Sequence, residues 1–166
     1  MPKSTRCLIL ACGNTLRSDD GIGRWLANWA EEEFRETPTI RVIARQQWTP
    51  DLAEEIAQAE TVLFIDCSVA SAPGSLQLIE VQPSAPAQGL ATHHIGAPEL
   101  LALAGELYDS VPRHALLLTM GAASIELGEV FSDAVTAALP EACRLIEETL
   151  LKHFGNNPGF HGVQTK

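Results

Sequence analysis

The sequence predicts an α/β fold, a three-layer α/β/α sandwich built on a mostly parallel sheet of about five strands. Two observations carry this. The runs "RCLILAC" at 6–12 and "TVLFIDC" at 61–67 are apolar without alternation, the pattern of strands covered on both faces. Strand-like runs and helical patterns also largely alternate along the chain, which brings parallel strands together with helices on either side.

Each element has its own signal. The first strand gives way to "GNTLRSDDGIG" at 13–23. A helix is expected from about Asp20 to Arg35, with Ile22, Trp25, Leu26, Trp29 and Ala30 on one face and Ser18 or Asp19 as its cap. "TIRVIAR" at 39–45 is a second strand. "TPDLAEEIAQAE" at 49–60 is a helix, with Thr49 as cap and Pro50 at the first helical position. The strand at 61–67 ends on Asp66 and Cys67, and "SAPG" at 71–74 makes a turn. "SLQLIEV" at 75–81 alternates only in part, as a strand near the sheet edge does. A loop with two prolines spans 82–94, a helix 98–108 and the last strand 113–124. The terminal helix covers 132–154, with a kink expected at Pro140 and a stop at Gly155. One domain over 1–155 and a flexible tail over 156–166 are expected.

Composition excludes several classes of function. The chain has 166 residues, 46% hydrophobic and 19% charged, enough for one folded core. A net charge of −10 argues against nucleic acid and anionic membrane surfaces as partners. No apolar run approaches the length of about 20 residues that a membrane helix needs, and 7–12 is too short for the core of a signal peptide. A cytoplasmic protein without membrane insertion is expected. The four cysteines form no C-x-x-C pair, so buried reduced thiols are expected rather than a zinc site.

The loop after the first strand is where α/β proteins keep ligands. Neither a dinucleotide fingerprint nor a P-loop is present, and Asp19 and Asp20 would repel a phosphate. One aspartate at a helix start has a structural use as a cap; a second adjacent one is harder to explain that way. Asp66, at the end of a strand with no other charge, either caps the next turn or faces a ligand. His93 and His94 stand in a loop flanked by Pro and Gly, as solvated side chains or as ligands. Asp20, Asp66 and His93 together would suit a first-row divalent metal with a position left open. There is no G-x-S-x-G elbow and no H-E-x-x-H motif, and nothing marks Cys67 as an activated thiolate toward His93. Spacing alone leaves the structural and metal-binding readings both open.

Three segments in order, "LACGNTLRSDDGIG", "VLFIDCSVASAPGSL" and "THHIGAPELLALA", resemble the [NiFe]-hydrogenase maturation endopeptidases, and the closing "GAASIELGEVFSDAVTAAL" extends the resemblance over nearly the whole chain. The resemblance implies an α/β/α cytoplasmic endopeptidase, expected to be a monomer. Its partner would be the hydrogenase large-subunit precursor, from which it removes the C-terminal peptide after nickel insertion. It implies Asp20, Asp66 and His93 as catalytic and metal-contacting positions, with nickel supplied by the precursor and no organic cofactor. Asp19 becomes a cap or support, and Gly21 and Gly23 are expected to leave room for a substrate backbone. The chain departs from members with an acidic, Gly-rich segment after the second strand, carrying Gln46, Gln47 and Trp48 instead. Two other readings compete: a non-catalytic nickel- or precursor-binding maturation factor, and a hydrolase carrying its own metal.

Overall fold

The computed structural model describes residues 5–85 and 95–154. Strand β1 (Thr5–Cys12) lies between β2 (Ile40–Arg45) and β3 (Ala59–Ser68), parallel to both. Strand β5 (His114–Gly121) continues the parallel sheet beyond β3, and β4 (Leu76–Glu80) closes that edge antiparallel to β5. The order is β2-β1-β3-β5-β4, so the expected sheet of five mostly parallel strands is present and the partly alternating strand is at an edge.

The continuous apolar runs are explained by cover on both faces. From β1 and β3, Ile9, Leu63 and Ile65 pack on one side with Leu26 of α1 (Ile22–Glu33) and Ile146 of α4 (Asp133–Phe154). On the other side, Leu8, Leu10, Val62 and Phe64 pack with Ile56 of α2 (Leu52–Ala57) and Leu100 of α3 (Ala97–Tyr108). These side chains are essentially fully buried, and each contributes about 1.5–3 kcal/mol relative to exposure. The two clusters are the two interfaces of a three-layer sandwich.

The first two helices differ most from the sequence expectation. Asp20 is not in α1: a short 3-10 helix, Ser18–Gly21, comes first, and no side chain caps α1. Helix α2 has 6 residues rather than the predicted span. Thr49 and Pro50 only form its entry turn, their carbonyls accepting from Leu52 and Ala53. Its far end is cut short because Ala59 pairs across the sheet with Thr5, and an extended strand residue cannot also close a helical turn. Helix α4 runs through Pro140 without interruption. Gly155 and the 156–166 tail lie outside the described residues. No helix among the described residues is long and apolar enough to cross a membrane.

Candidate functional site

A cavity of about 610 Å³ opens at the carboxyl ends of β1, β2 and β3. Asp20, Asp66, Cys12, Trp48, Glu99 and Arg17 are among its lining residues. The structure therefore brings two of the three expected site residues together. His93 and His94 lie outside the described residues; Ile95 and Gly96, which follow them in the chain, line the cavity. Among the described residues no group of three or more His, Cys, Asp or Glu could hold a metal ion.

Asp20 reaches the cavity because the opening loop folds back on itself. Its carboxylate accepts from the Asn14 N–H at 2.8 Å, while the Asn14 side chain accepts from the Leu16 N–H at 2.9 Å. Gly13, at φ 150°, is required for this path, since a Cβ there would stand 2.0 Å from the Asp20 carbonyl oxygen. A Cβ on Gly23 would meet the Cys12 carbonyl oxygen at 2.1 Å, and one on Gly21 would stand 3.1 Å from the Thr15 Cα. Those two glycines make room for the chain's own backbone, where the sequence had suggested space for a substrate.

Asp66 sits where β3 leaves the sheet interior. It accepts from the Cys67 N–H at 2.7 Å and from the Cys12 thiol. Burial raises its pKa and the negative charge of Asp20 adds to the rise, against the lowering effect of those two hydrogen bonds. The repulsion from Asp20 marks the two carboxylates as electrostatic neighbours, an arrangement that a bound cation would relieve. Burial, followed by the charge of Asp66, raises the Cys12 thiol strongly. Burial, followed by the charges of Asp20 and Asp66, pushes Cys67 up to about 12. Both thiols stay protonated at neutral pH, so neither is an activated nucleophile.

Asp19 has a different environment. It is buried, and its carboxylate accepts from the N–H groups of Ala123 at 2.8 Å, Ser124 at 3.2 Å and Ser132 at 2.7 Å, and from the Ser132 hydroxyl at 2.9 Å. Burial alone would raise its pKa; the hydrogen bonds from Ser132, Ala123 and Ser124 overcome this and hold it below the ordinary carboxylate value. The Ser132 hydroxyl in turn accepts from the Val135 N–H at 3.3 Å, capping α4. Asp19 is thus a support, as one reading had it, but it braces the start of α4 rather than capping α1. Around it the opening loop is joined to the segment after β5. Ser18 N–H donates to the Gly128 carbonyl at 2.7 Å. The Arg17 Nε donates to the Ile125 carbonyl at 3.0 Å.

Sequence reasoning passed over Cys12, Glu99 and Arg17 as lining residues. Cys12 was legible in principle: Ala11 pairs with Ile65, so the next residue of β1 comes level with Asp66. Glu99 in the first turn of α3 looks like an ordinary acid complementing a helix dipole.

No family model matches the chain, and neither does any curated protein. Solved structures do. The hydrogenase maturating endopeptidase HybD from E. coli is 18% identical with a TM-score of 0.74, over 89% of this chain and 93% of that one. A hydrogenase 2 maturation peptidase from a Thaumarchaeota archaeon is 24% identical with a TM-score of 0.65, over 88% and 98%. The [NiFe] hydrogenase maturation protease HycI from Thermococcus kodakarensis is 23% identical with a TM-score of 0.67, over 88% and 92%. The chain shares the α/β fold of these proteins over 88–89% of its length.

Proposed function

We propose that this protein is an endopeptidase of hydrogenase maturation, which removes the C-terminal peptide of a [NiFe]-hydrogenase large-subunit precursor after nickel has been inserted. The observation that carries the reading is the pairing of Asp20 and Asp66 in one cavity at the carboxyl edge of the sheet. The fold shared with proteins named as hydrogenase maturation peptidases supports it, as does the opening motif that carries Asp20.

In this reading nickel is cargo of the substrate. Asp20 and Asp66 reach it with carboxylate oxygens, His93 adds an imidazole, and the set suits a first-row divalent ion. Asp66 is held back from ionising by burial and by Asp20, and an incoming cation favours its ionised form. A precursor lacking nickel brings no such charge, so the acid pair discriminates between loaded and empty substrate. Binding of the metal places the scissile peptide at the cavity, and a carboxylate of the pair or the nickel assists attack by water.

The test is incubation of the purified protein with nickel-loaded and nickel-free precursor, read by the mass of the large subunit. Cleavage of the loaded form alone is expected. A stable complex without mass change would replace the reading by a non-catalytic maturation factor. Bound metal in the purified protein, with cleavage of nickel-free substrate, would replace it by a hydrolase carrying its own metal.

A further inference from the structure

Leu127 and Val130 are the most exposed large apolar side chains among the described residues, at 89% and 81%, and Leu16 is 55% exposed. The three belong to one surface. Arg17 and Gly128 pair in a parallel bridge, which sets Leu16 level with Leu127. The Gly128 N–H donates to the Leu16 carbonyl at 3.0 Å. Phe131, next to Val130, lies against Gly21 of the same opening loop. The backbone beneath is held firmly. The Ser18 hydroxyl donates to the Glu126 carbonyl at 2.9 Å, and Asp19 ties down Ser124 and Ser132 on either side of the segment. Apolar side chains clustered on a fixed backbone and turned to solvent mark an interaction surface, where singly scattered ones would not.

This surface borders the cavity. Asn14 and Arg17, on either side of Leu16 in the chain, line it, and the Arg17 Nε is fixed on the Ile125 carbonyl. A second copy of the chain is a poor occupant. Three side chains fall far short of the roughly 20–30 residues a side, about 800 Å² per partner, of an interface that stands alone. A two-fold contact through the patch would also bring the exposed Glu126 and Glu129 toward their own counterparts. A partner already held by the cavity needs only an added contact of this size. A peptide segment in the cavity is attached to the folded body that carries it, and that body must rest on the cavity rim.

We propose that Leu16, Leu127 and Val130 dock an apolar patch on the folded body of the large-subunit precursor while its C-terminal segment occupies the cavity. This rests on the endopeptidase reading of the site. The contact is made alike in the ground and transition states, so its loss weakens binding and leaves the chemical step alone.

The experiment compares wild type with the double variant Leu127→Ser/Val130→Ser and with Leu107→Ser, which removes an exposed leucine from the end of α3 away from the cavity. Nickel-loaded precursor is the substrate. KM and kcat are measured, with the Kd of the complex and the state of the free protein from sedimentation, and thermal melting in parallel. The double variant should raise KM and Kd about tenfold, leave kcat within about twofold and melt within about 2 °C of wild type. Leu107→Ser should change neither constant. An unchanged KM and Kd in the double variant overturns the proposal, and so does an equal rise in Leu107→Ser. A lowered melting temperature in the double variant overturns it by showing that these side chains serve the fold. A wild-type dimer that the double variant turns into monomers overturns it in favour of a second copy. Wild type that binds the precursor without cutting it, with binding loosened by the double substitution, upholds the docking surface and defeats the endopeptidase reading alone.

Discussion

Asp19 and Asp66 are two carboxylates of one sheet edge held in opposite ways. Asp19 is surrounded by four donors and kept ionised, joining the opening loop to the start of α4. Asp66 accepts from one backbone N–H and a thiol, and burial together with Asp20 disfavours its charge. The first carboxylate is consumed by the fold. The second carries an electrostatic penalty that a cation in the cavity would remove. Asp20, adjacent to Asp19 in the chain, belongs with Asp66 in space. Two neighbouring aspartates thus divide between the fold and the cavity, and the number of donors around each tells them apart.

The largest expected effect falls on the site pair. Asp20→Asn and Asp66→Asn should each reduce processing of nickel-loaded precursor by at least about a hundredfold, with melting temperatures close to wild type. Full processing by both would dissolve the comparison.

Next comes Asp19→Ala, which strands the N–H groups of Ala123, Ser124 and Ser132. A loss of about 3 kcal/mol is expected, seen as a fall of about 6–12 °C in melting temperature. A melting temperature unchanged by this substitution would remove Asp19 from its supporting role.

Acid titration sharpens the contrast through its sign. The folded-state pKa of Asp19 lies below the ordinary value. Its contribution is therefore present above that value, about 3.9, and is lost as pH falls through it toward the folded pKa. Asp19→Asn should flatten the loss of stability below about pH 4 in urea titrations at stepped pH. Asp66 has the reverse sign: its folded pKa is raised, so its contribution is present below the ordinary value and lost as pH rises through the folded pKa. The smallest effect follows. Asp66→Asn should stabilise the protein at neutral pH, by less than about 1 kcal/mol, and a destabilised variant would contradict the assigned penalty.

The sheet was legible because β1 and β3 are buried on both faces and say so by unbroken apolar runs. Asp20 and Asp66 were legible as candidates because a charge after such a run has few uses. The role of Asp19 was not, because the partners that decide it are more than a hundred residues away: its contact with Ala123 spans 104 positions. Local pattern suggested a cap for α1, and the long-range contacts instead produce a 3-10 turn. The short α2 has a similar cause, since Ala59 is recruited into the sheet by Thr5, far from it in sequence. Trp48 was noticed as a departure from the acidic segment of the family the chain resembles, but its packing on Phe64 and its place in the cavity lining exist only once the strands are assembled.

The most direct test of the division is the mass of the large subunit after nickel-loaded precursor is incubated with Asp20→Asn protein that melts like wild type. Uncleaved precursor is the predicted result, beside full cleavage by wild type in the same preparation. Cleavage at the wild-type rate would show that the acid pair in the cavity is not the site.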